Sequence, residues 1–112
     1  MPHIVVEYSS NLTSSVKESD LLRSLHRVVL DSGIFSPEAI KARGVSYDEG
    51  DYVLPEGKKS FLHVTVSILA GRDTEPRRQI SDSVFKASKA LIPSADSVSV
   101  NLHEMDEKTY KK

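Results

Sequence analysis

Apolar and polar residues alternate along four stretches of this 112-residue chain, one of them weakly, and recur at helical spacing along two others. The first alternating stretch begins at once. His3, Ile4, Val5, Val6, Glu7 and Tyr8 make a run rich in β-branched residues and predict a strand with no tail ahead of it to fray. Residues 9–14 are polar and predict a connection. Ser15 with Glu18 three residues on has the form of a capping box, and Asp20 is a competing N-cap. Leu21, Leu22, Leu25, Val28 and Val29 then share one face of a helix, with Lys17, Arg23 and Arg27 elsewhere and Gly33 as the C′ stop. Ile34 and Phe35 follow as an apolar anchor, and Ser36-Pro37 turns the chain.

Over 39–47, Ile40, Ala42, Val45 and Tyr47 predict a weaker strand, in which Gly44 points to a bulge or an irregular edge. Residues 48–59 place Gly50, Pro55 and Gly57 among charges and predict a loop with a short strand at 51–54. The clearest alternation is 61–69. It puts Leu62, Val64, Val66 and Ile68 on one face and His63, Thr65 and Ser67 on the other. After Ala70-Gly71-Arg72, Asp73 or Thr74 can cap a second helix that tolerates Pro76 in its first turn. Ile80, Val84, Ala87 and Leu91 carry that helix to Pro93. A last strand over 97–102 sets Val98, Val100 and Leu102 opposite Ser97, Ser99 and Asn101, and the charged segment from about Glu104 reads as a mobile tail.

Strand, helix and strand therefore occur twice, at an offset of roughly sixty residues. The prediction is a single α+β domain over 1–112: a duplicated β-α-β layout with a four-stranded mixed sheet and two helices on one face. Thr65, Ser67, Ser99 and Asn101 lie on the uncovered face, which suits water or a wet channel between subunits. A ring of identical chains would supply partners for the sheet edges.

Fifteen basic residues against sixteen acidic ones leave a net charge of −1, with no basic stripe for nucleic acid or a membrane surface. Cysteine is absent, which removes disulfides, thiolate metal sites and a cysteine nucleophile. No apolar run approaches the length of a membrane span and no signal-peptide pattern opens the chain, so a cytoplasmic protein is expected. His3, His26, His63 and His103 are too scattered for a metal motif. No serine has the glycines of a nucleophile elbow, and Gly71 stands outside any phosphate-binding loop.

The feature that carries chemistry is Pro2. Removal of Met1 would leave a secondary amine at the start of a strand, and an α-amino group titrates at about 7.7–8.0, close enough to neutrality to serve as a base. Arg72 is a candidate anchor for a substrate, set after a glycine where a strand gives way to a helix, although by itself an arginine there is more often simply solvated. Lys41 and Arg43 share one face of their strand and could receive carboxylates, or could simply be solvated. If strands one and three ran parallel side by side, Pro2 and Arg72 would lie at opposite ends of the sheet.

Pro2-His3-Ile4-Val5-Val6-Glu7-Tyr8-Ser9, Gly33-Ile34-Phe35, and His63-Val64-Thr65-Val66 running into Ala70-Gly71-Arg72 resemble the 5-carboxymethyl-2-hydroxymuconate isomerase family of the tautomerase superfamily. The resemblance extends from Pro2 to about Leu102. It implies a tautomerase-like homotrimer of β-α-β-β-α-β subunits, free of cofactor and metal. In such a trimer the processed N-terminal proline ketonises an unsaturated 2-hydroxy di- or tricarboxylate in homoprotocatechuate catabolism. Pro2 matches the catalytic proline and Arg72 a substrate-binding arginine. Lys41 stands where the family has a second arginine, and Arg43 matches a further one; lysine keeps the charge but weakens bidentate recognition. A keto-enol tautomerase of another 2-oxo acid, and a trimeric interaction protein without chemistry, are the alternative readings.

Overall fold

The alternating stretches become the strands β1 (His3–Ser9), β2 (Lys41–Tyr47), β3 (Phe61–Leu69) and β4 (Ser97–Met105) in a computed structural model that describes residues 1–112. The helical stretches become α1 (Glu18–Asp31) and α2 (Thr74–Leu91), with 3-10 turns at Ser10–Ser14 and Pro37–Ala39. The sheet order is β2-β1-β3-β4. β1 pairs parallel with β2, and β3 parallel with β4, as two β-α-β units require. The units meet through β1 and β3, which are adjacent but antiparallel.

That antiparallel seam corrects the parallel arrangement considered from sequence. His3 lies opposite Ser67, so the start of β1 and the end of β3 share one end of the sheet. Pro2 and Arg72 thereby flank the same end within one subunit.

Both helices cover the face formed by Ile4, Val6, Leu62, Val64, Val66 and Ile68, all 0% exposed. Leu21, Leu25 and Val29 come down from α1, and Ile80 and Val84 from α2. Each such side chain contributes about 1.5–3 kcal/mol through burial, and this layer holds the sheet. The opposite face, with His3, Lys41, Arg43, Thr65 and Asn101, is uncovered in the single subunit.

The expected capping box does not form. Lys17 takes the N-cap position of α1, and the Glu18 carboxylate accepts a hydrogen bond from the Tyr8 hydroxyl, tying the first turn to β1. Burial and the Glu18 carboxylate together push the Tyr8 phenol up to about 12, so it stays a donor. Gly44 makes no bulge, because the β1–β2 register runs unbroken from His3↔Lys41 to Ser9↔Tyr47. A Cβ there would come within 3.1 Å of Glu18 Cδ, so the glycine is a point of close helix–sheet approach. Residues 51–54 form no strand, since the edge of β2 ends at Tyr47 and nothing pairs with them. Gly33 does take a left-handed conformation, φ +76°, after the helix end.

β4 runs three residues beyond its expected end, and Ala70 N–H donates to Met105 O at 2.9 Å to close that extension. The C-terminal segment is also more ordered than its charge implied. Thr109 and Tyr110 N–H donate to Asp106 O in a turn, and the half-buried Tyr110 packs edge-on to His3.

Candidate active site

β1 and β2 both begin at one end of the sheet, so their parallel pairing brings the chain start beside Lys41, whose N–H donates to Pro2 O at 3.1 Å. The Met1 amine donates to Ala39 O at 2.9 Å, fixing the terminus against the turn that precedes β2. Burial holds that amine below its ordinary value, with Lys41 and then Lys112 adding like-charge repulsion. The Pro2 ring is fully buried on the helix side.

Lys41 and Arg43 are exposed on the open face, in register with His3 and Val5 of β1. Arg43 Nη1 lies 3.4 Å from His3 Nδ1, and Tyr110 Oη lies 2.7 Å from His3 Nε2. Burial, Arg43, Lys41 and the terminal amine, in that order, lower the affinity of His3 for a proton. None of Lys41, Arg43 or Arg72 pairs with a carboxylate; the three ion pairs are Arg27–Asp31, Arg77–Glu104 and Arg78–Glu75.

Arg72 follows Gly71, whose φ of +119° lets the chain turn sharply out of β3. Its guanidinium stacks 4.9 Å from the centre of the Phe35 ring and donates to Ile34 O at 3.2 Å. The Ile34-Phe35 anchor therefore positions an arginine. Pro2, Lys41, Arg43 and Arg72 thus gather at one end of the sheet but divide between its sides. Pro2 and Arg72 face the helix layer and its loops, Lys41 and Arg43 the open face. None of the three principal clefts of the single subunit is lined by any of the four. No group of three His, Asp or Glu side chains is placed to hold a metal ion.

Sequence reasoning passed over His3, Tyr110 and Lys112. His3 looked like one more scattered histidine, and the tail looked mobile. An aromatic residue alone among charges was the available signal for Tyr110.

The family model for 5-carboxymethyl-2-hydroxymuconate isomerase matches residues 2–112. The chain belongs to that family. A curated relative, the Escherichia coli 5-carboxymethyl-2-hydroxymuconate Delta-isomerase, is 28% identical over 89 residues, covering 80% of this chain and 71% of the relative. The crystal structure of a 5-carboxymethyl-2-hydroxymuconate isomerase from Deinococcus radiodurans R1 superposes with a TM-score of 0.85 at 27% identity, over 99% of this chain and 87% of that one. A fused 4-OT wild-type symmetric trimer has the same fold, with a TM-score of 0.82 at 21% identity, over 98% and 90% of the two chains. The fold is that of the tautomerases, and the isomerase family is an enzyme family.

Proposed function

We propose that this isomerase ketonises 5-carboxymethyl-2-hydroxymuconate-type dienols to their 2-oxo-3-ene isomers, with Pro2 as the base after removal of Met1. The neutral secondary amine takes the proton from the 2-hydroxyl, the electron pair moves through the diene, and the ammonium returns a proton at carbon five. One O–H bond breaks, one C–H bond forms, and no electrons are lost or gained. Arg72, Arg43 and Lys41 hold the substrate carboxylates and stabilise negative charge developing on oxygen.

The observation that carries this reading is the terminal amine beside Lys41, depressed by burial and by like charge. Loss of Met1 moves the amine one residue inward into the same surroundings, which favour the neutral, basic form at neutral pH. The division of the cations between two sides of the sheet, with none of the three principal clefts of the lone subunit lined by them, favours a site completed by a neighbouring chain. We infer a homotrimer, the assembly in which a solved protein of this fold occurs. We further propose a cytoplasmic role in aromatic-compound catabolism, which the family resemblance implies; no helix of the structure is long and apolar enough to cross a membrane.

The test compares processed protein with a form that retains Met1, both confirmed by intact mass, by following dienol absorbance. The processed form should turn over and the Met1 form should not, because an amide nitrogen is not basic. Equal rates would remove Pro2 from the mechanism.

A further inference from the structure

The C-terminal segment reaches back across the open face to the chain start. Lys112 lies near enough to repel the terminal amine, and Tyr110 meets His3 through both a hydrogen bond and an edge-on ring contact, with centroids 5.8 Å apart. The direction of that hydrogen bond follows from what stands on the other side of the imidazole. A guanidinium carries only donors, so the His3 Nδ1 facing Arg43 at 3.4 Å must present its lone pair. A neutral imidazole then has its single hydrogen on Nε2, and donates it to the Tyr110 oxygen at 2.7 Å. An imidazolium would set N–H against N–H at Arg43. Tyr110 Oη has no other partner, so its own hydrogen is left unused. The ring also lines a cleft of about 410 Å³ with His103 and Met105. The two acids of that cleft are engaged, Glu104 by Arg77 and Asp106 by the Lys108 N–H.

We propose that Tyr110 donates this free hydroxyl hydrogen to a carboxylate of the bound substrate, and that His3, its tautomer set by the neighbouring Arg43, is the positioning residue that keeps the phenol a donor. The proposal rests on the reading of the site given above and extends it to the C-terminal segment. A phenol fits the task because it adds a directional donor where Lys41 and Arg43 supply charge.

The experiment uses full-length processed protein and adipate, a saturated dicarboxylate with no double bond to isomerise. Nitrogen chemical shifts of His3 should report the Nε2–H tautomer at neutral pH, and adipate should shift them. Tyr110→Phe should bind adipate about tenfold more weakly and raise KM for a dienol more than it lowers kcat. His3→Gln keeps a donor for the phenol and an acceptor for Arg43, and should retain binding that His3→Ala loses. Adipate binding unchanged in Tyr110→Phe, wild-type protein that does not bind adipate, or an Nδ1–H tautomer would each overturn the proposal. Wild-type protein that binds adipate, yet leaves dienols untouched, would sink the isomerase reading while the binding comparison still decides the role of Tyr110.

Discussion

At the end of the open face where β1 and β2 begin, Lys41, Arg43 and the terminal amine collect without a single paired carboxylate. At the far end of the same face the polar groups answer one another. The Tyr47 hydroxyl donates to Glu7 at 2.5 Å, His63 joins Ser99 and Thr65, and the Phe61 ring packs against Tyr47 and Tyr52. Unpaired like charges repel, and a ligand of opposite charge would relieve that repulsion. A closed set of donors and acceptors has nothing left to offer a ligand. The contrast separates the end proposed to bind substrate from an end whose polar groups are already satisfied, on one continuous sheet.

The largest expected effect is at the binding end. Arg72→Ala should lower kcat/KM on dicarboxylate dienols by about 10- to 100-fold, the loss of a charged hydrogen bond, while circular dichroism stays at wild type. Arg72→Lys should recover only part, since the ammonium stacks less well on Phe35 and cannot bind bidentately. Unchanged kinetics in both variants would take Arg72 out of the site.

Next in size is the tie between α1 and the sheet. Tyr8→Phe deletes the donor to Glu18 and should cost about 0.5–1.5 kcal/mol in a urea titration, with turnover by the remaining folded protein unaltered. At the structural end, Tyr47→Phe should leave turnover unchanged; a fall there comparable to that of Arg72→Ala would erase the distinction between the two ends.

The smallest effect concerns His3. Its titration, followed by NMR, should have a midpoint below the ordinary 6.5, and Arg43→Ala should raise that midpoint without fully restoring it, because burial is the larger cause. The folded pKa is depressed, so the unfolded chain binds the proton more readily. The contribution of this group to stability is whole above pH 6.5 and is lost as pH falls toward the folded value.

Elements and faces were legible in the sequence wherever the apolar period was unbroken, as in β3, whose Leu62, Val64, Val66 and Ile68 all face the helices. The orientation of the two halves was not, because side-chain alternation is identical in parallel and antiparallel strands. The pairing of His3 with Ser67 decided it, and with it the proximity of Pro2 and Arg72 to one end. Local rules failed where tertiary contacts outbid them. Glu18 left its capping role for Tyr8, and Gly44 served the close approach of that same side chain. Of the proposed site, Pro2, Lys41, Arg43 and Arg72 could be named from the sequence; Tyr110 could not, since its partner is 107 residues away.

The central proposal is that the secondary amine of Pro2 does the chemistry, and the pH dependence of kcat/KM in mass-verified processed protein tests it most directly. Burial and Lys41 disfavour the ammonium at the Met1 amine, and the Pro2 amine that replaces it is proposed to sit in the same surroundings, so activity should rise with pH along a limb whose midpoint lies below the 8.0 of an ordinary terminal amine. Lys41→Ala should move that midpoint upward. A limb at or above 8.0 that ignores Lys41, or the same limb in protein that keeps Met1, would contradict the account.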